Sequence, residues 1–66
     1  MKEQVGIVIA YNGYSGKIFS DRKEYLLLDN NVVNQEKIQV NDEVSFISEI
    51  EKDIPIARFV RKRVKN

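Results

Sequence analysis

Val5-Gly6-Ile7-Val8-Ile9-Ala10-Tyr11-Asn12-Gly13-Tyr14 is the segment on which the reading of the fold turns. Val5, Ile7, Ile9 and Tyr11 alternate with Gly6, Val8 and Ala10, and such alternation in a β-branched segment predicts a strand with two apolar faces. Asn12-Gly13 follows at once. This dipeptide tolerates the positive φ values of a two-residue type I′ turn, so Tyr11 and Tyr14 are expected to flank a tight hairpin. The second strand then runs from about Tyr14 to Ser20.

Working outward, Asp21-Arg22-Lys23 is a polar break, and Glu24 to Leu28 reads as a third short strand. Tyr25 and Leu27 fall on one of its sides, Leu26 and Leu28 on the other. The Asn-rich segment from Asp29 to Lys37 predicts a long connection with one helical turn. Asn41-Asp42 turns the chain into a fourth strand, Glu43 to Ile50, with Val44, Phe46 and Ile50 facing inward and Ser45, Ile47 and Glu49 outward. Ile54 to Lys62 forms the fifth, with Pro55 at its beginning, where a missing ladder N–H does little harm. Five strands split three and two by a longer connection predict an all-β fold, a small five-stranded Greek-key barrel of the OB type. An SH3-like barrel is the competitor, because strand count and spacing do not separate the two.

The chain has 66 residues, enough for one domain, 1–66, in which only about 60% of the unfolded surface can be buried. It contains neither cysteine nor histidine, so packing alone must hold it together. Met1-Lys2-Glu3-Gln4 leads into the first strand without an apolar leader, and no apolar run approaches the roughly 18 residues of a membrane span. A soluble cytoplasmic protein without membrane contact is the expectation. The net charge of +1 exerts no global pull on polyanions. Its distribution is uneven. Arg58, Arg61, Lys62, Arg63 and Lys65 crowd a basic tail (61–66 and the strand before it), and Glu49, Glu51 and Asp53 crowd the preceding turn.

Over nearly its full length the chain resembles the cold-shock domain family. Gly6-Ile7-Val8-Ile9-Ala10-Tyr11-Asn12 is similar to the family's opening strand Gly-x-Val-Lys-Trp-Phe-Asn, with Ala10 replacing tryptophan and Tyr11 phenylalanine. Asn41-Asp42-Glu43-Val44-Ser45-Phe46 is similar to Glu-Gly-x-x-Val-x-Phe, and Pro55-Ile56-Ala57-Arg58-Phe59-Val60 to Gly-Pro-x-Ala-x-Asn-Val. The resemblance implies a barrel that binds single-stranded RNA or DNA on its outer face without a cofactor. Both binding motifs of that family depart from pattern here. Lys-Gly-Phe-Gly-Phe-Ile is shortened by two residues, with Lys17 and Ser15 in the aromatic places and Ile18 in the isoleucine place; an ungapped reading instead matches Phe19 to the second aromatic and leaves Ser20 in the buried position. Val-Phe-Val-His-Phe is matched by Tyr25-Leu26-Leu27-Leu28-Asp29.

Stacking a base on an aromatic ring is worth roughly 1–3 kcal/mol. With Ala10, Ser15, Lys17, Leu26 and Leu28 on the face, most of that contribution is gone, so retained binding is expected to be weak and mainly electrostatic. The candidate contact residues are Tyr11, Tyr14, Lys17, Phe19, Leu26, Leu28, Arg58 and Arg61. Tyr11 and Tyr14 serve either as a register-fixing cross-strand pair or as a stacking platform. Phe19 is either a ligand contact or a partner-facing residue, and the basic tail either a solvated terminus or a phosphate-tracking arm. The alternative function is a protein-interaction or homodimerising module whose apolar patch comprises Leu26, Leu28, Phe19 and Ile47. The residue types for nucleophilic, acid–base or phosphate-loop chemistry are missing, and the acidic turn reads as a solvated loop, so neither catalysis nor a metal site is expected.

Overall fold

The computed structural model describes residues 2–63; Lys65, at the end of the basic tail, lies outside them. Five strands, β1 (Glu3–Tyr11), β2 (Ser15–Ser20), β3 (Lys23–Leu28), β4 (Glu43–Glu51) and β5 (Ile54–Lys62), close into a barrel in the order β1-β2-β3-β5-β4. β1 pairs antiparallel with both β2 and β4, and the cylinder is closed by a parallel contact of β3 with β5 at Leu26 and Ile56. This is the strand order of the OB type. Among the described residues no helix is long and apolar enough to cross a membrane.

The alternating pattern builds the core. Val8, Ile18, Leu27, Val44, Phe46, Ala57 and Val60 are fully buried, and Tyr25 meets Phe46 with ring centroids 5.1 Å apart. Each large apolar side chain removed from water in this way contributes about 1.5–3 kcal/mol, the main stabilising effect in a chain without crosslinks. The connection after β3 forms two short 3-10 turns, Asp29–Asn31 and Val33–Gln35, where one helical turn was expected. Its Val32 and Ile38 are buried in the core, a role their isolated positions in a polar segment concealed.

Two bulges reshape the wall. The β1–β2 register slips between Val8 and Ala10, so Ile9 and Ala10 both lie on the exposed side and Tyr11 swings back against the core. Tyr11 therefore does not share a face with Ile7, as strict alternation predicts, because the extra residue reverses the phase. A second slip, between Ser45 and Ile47 of β4, leaves Phe59 of β5 as the extra residue, with φ 53°.

The hairpins also differ from expectation. Tyr11 pairs with Gly16, so Asn12-Gly13 is not a two-residue turn and Tyr11 and Tyr14 do not form a cross-strand pair. Asn12 uses its own side chain instead: Oδ1 accepts from Tyr14 N–H at 2.9 Å and Ser15 N–H at 3.0 Å, which opens the loop and delays β2 to Ser15. The two-residue turns with positive φ at both positions fall on Asp21-Arg22 and Lys52-Asp53. The latter carries the end of β4 past the core, leaving Ile50 76% exposed where an inward position was expected.

Candidate nucleic-acid interface

Register places the candidate residues. In β2 and β3 the ladder pairs Ser15 with Leu28, Lys17 with Leu26 and Phe19 with Glu24. Ile18 and Leu27 point into the core, so their neighbours Lys17, Phe19, Leu26 and Leu28 share the outer wall. On β1 the row continues through Ile7, opposite Phe19. Val5, Ile7, Ile9 and Phe19 are between 39% and 46% exposed, and Leu26 and Leu28 are half-buried. Tyr14 stands at the far end of β2, 80% exposed on the loop.

The wall is thus aliphatic with one ring on it, and its charges are largely paired. The Lys17 ammonium lies 3.3 Å from Glu24 Oε1, both side chains being more than half exposed. Lys17 and Leu26 also border a cleft of about 200 Å³ whose other side is Ile54 and Pro55. The β1–β4–β5 side adds Val5, Ser45 and Arg61 in one row. Arg61 is exposed and has no acidic partner among the described residues, so it is a cation available to a phosphate.

Arg58 has a different environment from the one expected of a phosphate ligand. Its Nη2 donates to Glu51 Oε2 at 2.7 Å, and Nη1 lies 3.5 Å from Asn31 Oδ1. Nε sits 3.0 Å from Glu49 Oε1 without aiming its hydrogen at it, which leaves that buried nitrogen with attraction but no hydrogen bond. Two carboxylates therefore neutralise this guanidinium. Lys62 and Arg63 are drawn to Asp42 at 3.5 Å and Glu43 at 4.0 Å on the opposite rim. The run of basic residues that dominates the sequence is dispersed into separate pairs, with Arg61 standing apart from them.

Tyr11 is likewise committed. Its hydroxyl donates to Asp29 Oδ1 at 3.2 Å and lies 3.3 Å from the Gly13 carbonyl. Desolvation, then the hydrogen bond and the charge of Asp29, raise its pKa above 10.0. Ile47 lies on β4, separated from β3 by β1 and β2 on one side and by β5 on the other, so it does not join Leu26 and Leu28 in one patch. The apolar neighbours of Phe19 are Val5, Ile7 and Ile9 instead. Among the described residues no group of acidic side chains is arranged to hold a metal. No protein-family model matches the chain, and no curated protein matches it in sequence.

Proposed function

We propose that this chain is a non-enzymatic, cytoplasmic, cold-shock-like barrel that binds single-stranded RNA or DNA weakly. The observation that supports this reading is the placement of Lys17, Phe19, Leu26 and Leu28 on one uncovered wall. Phe19 and Lys17 are alternate outward residues of β2, about 7 Å apart, and Tyr14 stands exposed on the loop before the strand. That spacing suits one base stacked on Phe19 with its neighbouring phosphate over the lysine. Arg61 lies on β5, beyond β1 and β4 from Phe19, so a strand has to wrap around the barrel to meet both cations. The Lys17–Glu24 pair is no obstacle, since exposed ion pairs are worth only about 0–1 kcal/mol and a phosphate can replace the carboxylate.

Two phosphate contacts, at Lys17 and Arg61, give a log–log salt slope of about −1.4 for a single strand. The test is a titration with pyrimidine and random oligonucleotides of about eight nucleotides in about 50 mM salt, followed by amide NMR shifts. Shifts along β2 and β3 are expected; their absence at millimolar oligonucleotide overturns the reading.

A second reading, a protein-binding or homodimerising module, draws on the exposure of Val5, Ile7 and Ile9 beside Phe19. Aliphatic side chains offer no π face to a base but bury well against another apolar surface. A sedimentation mass that rises with concentration would favour it.

A further inference from the structure

Phe59 is the residue that neither the core nor the wall explains. Eight described non-glycine residues have positive φ, and seven of them are Asp, Asn, Arg, Gln or Lys in turns and loops. The eighth is Phe59, in the middle of β5, with φ 53° and 56% of the residue exposed. The left-handed region disfavours a bulky side chain and suits Asn or Gly. A bulky ring held at a costly φ on the surface marks a position at which to look for a binding role.

The surroundings identify the occupant. Phe59 lines a cleft of about 230 Å³ with Asn30, Asn31, Val32, Val33 and Arg58. This volume is below the roughly 300–1,000 Å³ that encloses a drug-sized ligand and suits a single planar ring system. The cleft offers one aromatic ring, two valines, the Asn30 carboxamide, which both donates and accepts, and the amide N–H groups of Asn31, whose Oδ1 faces Arg58. Its guanidinium is already neutralised by Glu49 and Glu51, so a phosphate gains little there. An uncharged heterocycle with a hydrogen-bonding edge matches this set. The cleft also continues the wall, because Asp29–Asn31 follows directly on Leu28 at the end of β3, and β5 runs alongside through the Val32–Val60 bridge.

We infer that the cleft between Asp29–Val33 and β5 is a subsite for one unstacked nucleobase, held on Phe59 and read by Asn30 and Asn31. It lies beyond the β1–β3 wall, and its role in strand binding rests on the function proposed above.

The test uses the whole chain, oligo(dT) and oligo(rA) of about eight nucleotides, and the free nucleosides, with amide NMR shifts and thermal melts. Shifts at residues 30–33 and 58–60 on titration are expected. Phe59→Asn should raise Tm by several degrees, because asparagine suits this φ, and should weaken oligonucleotide binding about 5- to 100-fold. It should also abolish the cleft shifts while leaving those at Lys17 and Phe19. Wall shifts without cleft shifts overturn the subsite and spare the proposed function; cleft shifts with nucleosides and none on the wall do the reverse. No shift anywhere overturns both. A Phe59→Asn variant that melts lower than the parent shows the ring to be structural and overturns the subsite, as does one that binds with parental affinity.

Discussion

Lys17 and Glu24 meet at 3.3 Å on a diagonal of the β2–β3 ladder, each two residues from the other's direct partner. The pair sits in the middle of the proposed nucleic-acid path and sets how much charge a strand encounters there. Glu24→Gln should raise oligonucleotide affinity about twofold to fivefold at low salt, with a stability change below about 1 kcal/mol. Lys17→Ala should weaken binding and reduce the magnitude of the salt slope by about 0.7, one of the two single-strand phosphate contacts. Fluorescence titrations at several salt concentrations measure both; equal slopes for parent and Lys17→Ala would remove Lys17 from the interface.

Phe19 separates the two readings of the wall. As a stacking ring, its replacement by alanine should weaken oligonucleotide binding about 5- to 100-fold with little change in salt slope, since no charge is altered. Analytical ultracentrifugation should show a monomer before and after. A parent that dimerises and a Phe19→Ala variant that does not would transfer the wall to the protein-binding reading.

Arg58 spans two acidic residues and Asn31 with a planar fork, which a lysine cannot reproduce. Arg58→Lys should lower stability by about 1 kcal/mol, which for a domain of this size is a Tm loss of about 4–8 °C. The salt slope of oligonucleotide binding should stay unchanged. A shallower slope would show that Arg58 contacts phosphate despite its carboxylates.

Gly16 faces Tyr11 across the bulged part of the β1–β2 ladder, and a methyl group there would run into the Ala10 carbonyl. Backbone cannot yield as a flexible side chain does. Gly16→Ala should lose more than about 3 kcal/mol, a large part of the roughly 3–10 kcal/mol expected for a domain of this length. Circular dichroism during urea unfolding measures the loss; near-parental stability would mean that the bulge has room to spread.

Tyr11 ties stability to alkaline pH. Its folded pKa lies above the ordinary value of 10.0, so the unfolded chain deprotonates first. The stabilisation from this group is complete below about pH 10 and is lost as pH rises through the raised folded value. Tyr11→Phe should therefore show a smaller fall in Tm between about pH 9 and 11 than the parent. Identical falls would assign the alkaline loss to other groups.

Strand positions were readable because alternation is local: Tyr25 and Leu27 inward, Leu26 and Leu28 outward, and Ile54 to Lys62 as the last strand all follow from it. The bulges were not. Slippage at Ile9 and at Phe59 depends on how two distant strands meet, and no single segment encodes that. Asn12-Gly13 misled because the Asn12 side chain bonds the loop's own amides, whereas Asp21-Arg22 and Lys52-Asp53 make tight turns without glycine. The pairing of Arg58 with Glu49 and Glu51 was hidden for a related reason. A run of positive charge is visible in one dimension, and its neutralisation across a hairpin only in three.

β4 joins β1 over five residue pairs, whereas β3 meets β5 at the single pair Leu26–Ile56, so the cylinder has one thin seam. A peptide adding as a strand would meet long ladders everywhere except along that seam. Elsewhere the surface is made of outward side chains, and a few of these can be exchanged while the scaffold stays as it is.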